Sequence, residues 1–208
     1  MSRAIRAVAF DIGDVLFTPQ PQAEFFARWE QRLCIAPGSL CGVLWHGPDI
    51  EEANVGIITA EEYCERCAIR LGINAEMVLA LIEDAFSGER LNDELVGYIQ
   101  TLRPHIQIVA LTNNWTFCRR LIERRGITKL FDLIVVSAEE GVKKPHSRIY
   151  EIMLKRLDIT PVKVAFIDDN AENVEAAGSL GIHSIHFCST EQTISELDAL
   201  LFEHCKQL

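Results

Sequence analysis

Short apolar runs of strand length alternate with helical patterns through most of this chain, and that repeat limits its fold more than any other feature. Five runs, at residues 5–11, 106–112, 133–137, 164–168 and 184–187, are apolar without strict alternation. Such runs suit strands buried on both faces of a parallel sheet. The helices between the later runs carry start and stop signals. Asn92 can cap a helix with the apolar face Leu95, Val96, Ile99 and Leu102, which Pro104 ends. Residues 116–125 form the next, with Gly126 at its C-terminus. Pro145 suits the first turn of a helix carrying Ile149, Ile152, Met153 and Leu157. Asn170 can cap one that runs through Ala177 to Leu180, with Gly181 beyond, and Thr193 with Glu196 makes a capping-box pattern before the last. Strand alternating with helix implies right-handed crossovers and an α/β, doubly wound parallel sheet. Ligands of such sheets sit at the carboxyl ends of the strands.

One segment breaks the repeat. Residues 19–88 follow the first strand directly and read as several helices with no strand among them. Residues 22–33 are amphipathic, Thr59 with Glu62 is a second capping-box pattern opening a helix to Leu71, and residues 74–86 supply another. Pro19 and Pro21 mark one hinge and Ser87–Gly88 the other. The expected organisation is a core of residues 1–18 and 89–208 with a helical cap, residues 19–88, inserted over the active edge of the sheet.

The formal net charge of −10 argues against a nucleic-acid partner, whose phosphates are bound by clustered Lys and Arg. No apolar run approaches the roughly 18 residues that cross a bilayer, so no membrane partner is expected either. Seven scattered cysteines without an export signal read as reduced thiols, which places the chain in the cytoplasm. Cys64 and Cys67 read as two residues on a partly buried helix face rather than a metal pair. Arg119, Arg120, Arg124 and Arg125 read as a solvated face near a helix C-terminus, where the dipole favours cations.

The strand ends carry the chemistry. The first closes on Asp11 in VAFDIGDVLF, the second on Thr112-Asn113 in VALTNNW, and the fourth on Asp168-Asp169 in VAFIDDNAEN. Lys144 opens the segment between the third and fourth strands, in EGVKKPHSRIY. Three acids beside one or two lysines repel one another unless a cation joins them, and a hard divalent ion such as Mg²⁺ suits oxygen ligands. A hydroxyl, an amide and an ammonium beside that ion make a pocket for phosphate. Asp11 can then attack phosphorus while the cation and Lys144 neutralise charge on the group in transfer.

The four segments, in this order, resemble the four motifs of the haloacid dehalogenase superfamily over nearly the whole chain, with residues 19–88 in the position of its helical first-type cap. LTNNW, EGVKKPHSRIY and FIDDNAENVEAA are most similar to the branch holding the N-terminal phosphatase domain of soluble epoxide hydrolase and bacterial α-glucose-1-phosphate phosphatases. NVGIITAEEY resembles that branch's cap segment. The resemblance implies a Rossmann-like core and a Mg²⁺-dependent phosphohydrolase. Asp11 is then nucleophile and metal ligand, and Thr112 and Asn113 hold phosphoryl oxygens. Lys144 bridges nucleophile and phosphate, Asp168 and Asp169 complete the metal site, and Asn173 supports the metal loop. The implied partner is a small phosphorylated substrate, a sugar phosphate among the candidates, for a monomer or homodimer.

The chain departs from the superfamily pattern at Gly13, where most of its phosphatases carry an acid/base Asp. Glycine keeps the carbonyl that binds metal and loses the proton donor, a factor of about 10²–10⁴. The α-glucose-1-phosphate phosphatases share this glycine. Asp14 is expected to cap the following turn rather than replace the donor. Two other functions remain open: a phosphate-binding regulator with little turnover, and a 2-haloacid dehalogenase using Asp11 on carbon. In the cap, Trp45, His46 and Asp49 lie in an expected loop and are candidate specificity residues.

Overall fold

The structure, a computed structural model, describes residues 4–18 and 22–203; the hinge expected at Pro19 and Pro21 lies outside them. The chain begins with β1 (Ala7–Phe10) and β2 (Phe17–Thr18), then runs through α1 (Gln22–Leu33), α2 (Ser39–Leu44), α3 (Pro48–Asn54), α4 (Ala60–Leu71) and α5 (Ala75–Ser87). It returns through β3 (Arg90–Leu91), α6 (Asp93–Leu102), β4 (Gln107–Thr112), α7 (Cys118–Arg124), β5 (Leu133–Val136) and α8 (Ser137–Glu140). The final stretch is α9 (Ser147–Leu157), β6 (Val164–Asp168), α10 (Ala171–Ser179), β7 (His183–His186) and α11 (Thr190–Glu203).

The five expected strands form one parallel sheet in the order β5-β4-β1-β6-β7. Successive side chains of a strand point to opposite faces, which divides each strand between two layers. Val8, Phe10, Ile108, Ala110 and Ile167 pack with Leu95, Ile99, Ile122 and Leu197 of α6, α7 and α11. Ala7, Ala9, Val109, Leu111 and Phe166 pack with Ile149, Tyr150, Met153 and Ala177 of α9 and α10. Both faces are therefore dry, as unbroken apolar runs require. From β1 the chain builds outward through β4 and β5, then crosses back to β6 and β7 on the other side. That reversal at β1 opens a crevice at its carboxyl end.

Helices α1 to α5 form a separate layer whose buried side chains include Phe25, Trp29, Leu44, Tyr63 and Leu81. Trp115, from the β4–α7 connection, inserts into it edge-on to Tyr63 with ring centroids 4.6 Å apart. The capping box of α4 is present: Thr59 Oγ1 accepts from the Glu62 amide at 3.1 Å, and Glu62 Oε2 accepts from the Thr59 amide at 2.8 Å. Asn74 caps α5 through Met77. Cys64 and Cys67 are buried on α4, and among the described residues neither belongs to a metal-ligating cluster. Among the described residues no helix is long and apolar enough to cross a membrane.

Several expectations are corrected. Helix α9 begins at Ser147, with His146 as its cap accepting from the Arg148 amide; Pro145 precedes the helix and joins Lys144 through a cis peptide. Helix α11 starts one turn earlier than Thr193, because Ser189 and Gln192 make the reciprocal capping bonds. Helices α2 and α3 carry no side-chain caps, Gly38 and Gly47 standing at their starts; the local start signal of α3 is Pro48 in its first turn. The two passages between sheet and helical layer pair as an antiparallel ribbon, Phe17 with Leu91 and Thr18 with Arg90. Two residues per strand are too few to show a period.

Candidate active site

Asp11 leaves the sheet still in register, its amide donating to Ile167 O at 2.9 Å. Its Oδ1 accepts from the Ile12 amide at 2.7 Å, and its Oδ2 lies 3.0 Å from Lys144 Nζ. The same ammonium reaches Asp168 Oδ2 at 2.6 Å, and both of these side chains are fully buried. Burying a charge is costly unless it is paired, so Lys144 and Asp168 each account for the other. Asp168 Oδ1 accepts from the Asn170 amide and from Asn173 Nδ2, both at 2.9 Å. Tyr150 OH in turn donates to the Asn173 carbonyl at 2.9 Å from beneath the sheet. Asn173 thus acts on the acid pair directly.

Carboxylate oxygens of Asp11, Asp168 and Asp169 all lie within 4.8 Å of one another. One ammonium cannot balance three such acids. Burial, then the nearby Asp168 charge, pushes the Asp11 carboxyl up to about 7 against the pull of Lys144. Burial and the Asp168 charge raise Asp169 as well. Surplus negative charge on hard oxygen donors fits a small divalent cation, and Mg²⁺ held through a few carboxylates is the usual case.

At the end of β4, Thr112 is buried and Asn113 closes a ring with the Lys144 backbone: Nδ2 donates to Lys144 O at 2.9 Å and Oδ1 accepts from Lys144 N at 2.8 Å. The Asn113 side chain therefore positions Lys144, which leaves its backbone N–H as the group to meet a ligand. Ser137 clamps the same connection, accepting from Asn114 N at 2.9 Å and donating to Asn114 O at 3.1 Å.

Above this edge is a cavity of about 240 Å³, lined by Gly13, Asp14 and Asn113 from the strand ends, by Trp45 and Asn54 from the helical layer, and by Glu89 where the chain returns between them. Trp45 reaches it, braced edge-on against Phe26 at 6.2 Å. His46, the next residue, is exposed and lines no part of it, so the structure does not bring His46 to the site. Asp49 is not a loop residue. It is buried in the first turn of α3, where Arg70 at 2.7 Å and Arg66 at 3.4 Å satisfy it. Asp14 makes no capping bond among the described residues; it takes a left-handed φ of 55° and faces the cavity. The arginine cluster is more than a solvated face. Arg119 pairs with Glu139, Arg124 with Glu83, and Arg125 donates to the backbone carbonyls of Phe86 and Glu89.

Sequence reasoning missed Ser137, Tyr150 and Glu89. Tyr150 carries the one legible signal, a hydroxyl beside Ile149 on the buried face of its helix.

Comparison with known proteins agrees with this geometry. The haloacid dehalogenase-like hydrolase family model matches residues 5–181. The chain is 31% identical over 209 residues to acyl-CoA dehydrogenase family member 10 of Mus musculus, covering 96% of this chain but only 19% of that protein. A sesquiterpene phosphatase of Aspergillus oryzae is 25% identical, with 97% of this chain and 99% of that protein covered. A HAD-family enzyme of Bacteroides thetaiotaomicron, solved with magnesium and inorganic phosphate, superposes with a TM-score of 0.74 at 18% identity over 88% of this chain and 94% of that one. A family match spanning most of the chain, over an acid-rich crevice at the reversal of a parallel sheet, has one meaning: the protein belongs to the haloacid dehalogenase-like hydrolases.

Proposed function

We propose that this hydrolase is a Mg²⁺-dependent phosphatase of small phosphorylated metabolites, with Asp11 as nucleophile. The observation that carries the reading is the Lys144 ammonium, buried and shared between Asp11 at 3.0 Å and Asp168 at 2.6 Å at the mouth of the crevice. A fixed cation touching the attacking carboxylate is what transfer of an anionic group needs, since it holds charge where charge develops. Asp11, Asp168, Asp169 and the Gly13 carbonyl would hold Mg²⁺, which supplies further neutralisation of the phosphoryl oxygens. Thr112 Oγ1 and the Asn113 N–H are the donors that orient the phosphoryl group. Asp11 Oδ attacks phosphorus, the bond to the ester oxygen breaks, and an aspartyl-phosphate forms that water then hydrolyses.

The cavity supports a small and polar substrate. Its 240 Å³ is below the roughly 300–1,000 Å³ of clefts for drug-sized ligands. Asn54, Asn113 and Asn114 offer amides, while Trp45 and Trp115 offer aromatic surface, a combination suited to a sugar phosphate. The phosphatase and Mg²⁺–phosphate complex among the similar proteins point the same way. Attack on a carbon–halogen bond gives no use to three converging acids.

The test is phosphate release from a panel of phosphorylated metabolites, with wild-type protein and Asp11→Asn side by side in Mg²⁺. Expected is turnover that chelation removes and that Asp11→Asn lowers by about 10⁴-fold or more. Tight phosphate binding with no turnover across the panel would instead establish the regulator reading that Gly13 raises.

A further inference from the structure

Gly13 leaves a gap in the reaction. Nothing at that position can protonate the departing ester oxygen. The cavity that Gly13 lines also holds the carboxyl group of Glu89, which the mechanism above does not use. We propose that Glu89 is the proton donor and acceptor of this enzyme, acting from the lining of the cavity that Gly13 also lines; the inference rests on the phosphatase reading.

Glu89 stands between α5 and β3, where the chain returns from the helical layer to the sheet. It lines the same cavity as Gly13 and Asn113. Its backbone is fixed from two sides. Arg125 Nη1 donates to Glu89 O at 3.1 Å, with the guanidinium seated 5.2 Å over the Phe17 ring, and the next residue, Arg90, pairs with Thr18 in the ribbon. The side chain is different. Among the described residues no hydrogen bond or ion pair engages the Glu89 carboxyl; Arg125 donates instead to the backbone oxygens of Phe86 and Glu89. A half-buried carboxyl with a held backbone and a free head is what a proton shuttle requires.

Its electrostatic surroundings suit the task. Glu89 is faced by Asp14 from the β1–β2 connection and by Arg125 beyond the end of α7. Burial pushes its carboxyl up to about 7, Asp14 adding to the rise and Arg125 opposing it. A group poised near neutral pH can give and take a proton in one cycle.

The steps balance. An Asp11 oxygen bonds to phosphorus, the bond to the ester oxygen breaks, and the Glu89 proton passes to that oxygen as the alcohol leaves. Water's oxygen then attacks phosphorus and gives a proton to the Glu89 carboxylate. The phosphorus–Asp11 bond breaks, restoring the aspartate and releasing inorganic phosphate.

A leaving group that needs no proton separates this role from a structural one. Glu89→Gln is assayed with 4-nitrophenyl phosphate and with the fastest alkyl phosphate of the metabolite panel, beside wild type, Asp14→Asn and Asp11→Asn. Expected for Glu89→Gln is a loss of about 10²–10³-fold in kcat/KM on the alkyl phosphate and less than about 10-fold on the nitrophenyl ester. Wild-type kcat/KM on the alkyl ester is bell-shaped around pH 7, rising as Asp11 ionises and falling above that as the Glu89 acid form is consumed, and Glu89→Gln lacks the alkaline limb. Equal losses on both esters, no loss on either, or a selective loss that appears in Asp14→Asn instead would each overturn the assignment. Asp11→Asn separates the two levels. Turnover that survives it sinks the phosphatase reading, whereas its loss together with an unselective Glu89→Gln sinks only the role of Glu89. Unfolding midpoints confirm that each variant is folded.

Discussion

The two walls of the cavity are built differently. On the sheet side the groups around the nucleophile are locked: Lys144 to Asp11 and Asp168, Asp168 to Asn170 and Asn173, Asn113 to the Lys144 backbone. On the helical side Trp45 and Asn54 stand on short elements, and the layer that carries them meets the sheet through a two-residue ribbon, the Trp115 ring and a few surface ion pairs. The difference separates two tasks. On the proposed function, groups that meet a reacting phosphorus are held at and beside the strand ends with supporting bonds, since small misplacements are costly there. Groups that recognise the remainder of a substrate sit where exchange disturbs little. Glu89 falls at the join, its backbone fixed like the first wall and its head free like the second.

Substitutions that break the first wall should have the largest effects. Lys144→Ala strands Asp168, which is 0% exposed, without its cation. Its unfolding free energy should fall by about 3–5 kcal/mol in chelator, read by urea denaturation. A loss under about 1 kcal/mol would mean that the wall is less interlocked than its bonds imply. Asn173→Ala touches no ligand and removes one 2.9 Å bond to Asp168. Apparent Mg²⁺ affinity should weaken roughly 10–100-fold by calorimetric titration, the usual result of losing a group that orients a metal ligand. Gly56→Ala probes the docking of the second wall. Gly56 has a φ of +68°, and a Cβ there would stand 2.2 Å from the Ala138 carbonyl oxygen. The left-handed φ and the backbone clash together are expected to cost about 2–4 kcal/mol of stability, while the effect on the metal site is the smallest of the three: KM raised and Mg²⁺ affinity unchanged. A Mg²⁺ affinity that moved with KM would join the two walls into one unit.

The sheet and the sheet-side wall were legible because their signals are local and redundant. An apolar run buried on both faces needs no partner to be read, and a chemically active residue at its end is placed by topology alone. Asp11, Lys144 and Asp168 are in contact in the structure, and Thr112 closes the strand beside β1. Asn173 was carried by resemblance, and its bond to Asp168 supplies the physical reason for it. The helical wall was legible only in part. Helices α1, α4 and α5 showed amphipathic faces or caps, whereas α2 and α3 start at glycines without a capping side chain. Asp49 looked like an exposed loop acid because its partners, Arg66 and Arg70, lie on another helix.

By itself the amino-acid sequence determined the alternation of strand and helix, hence the parallel sheet and the edge at which its acids gather. Periodicity and capping are properties of neighbouring residues, so no folded partner is needed to read them. Only the tertiary structure decided which side of the turn each residue faces: Trp45 toward the cavity and His46 away from it, Asp14 toward the cavity instead of capping. It alone brought Glu89 into the cavity that Gly13 lines. These placements depend on contacts between segments far apart in the chain, and such contacts leave no period in the sequence.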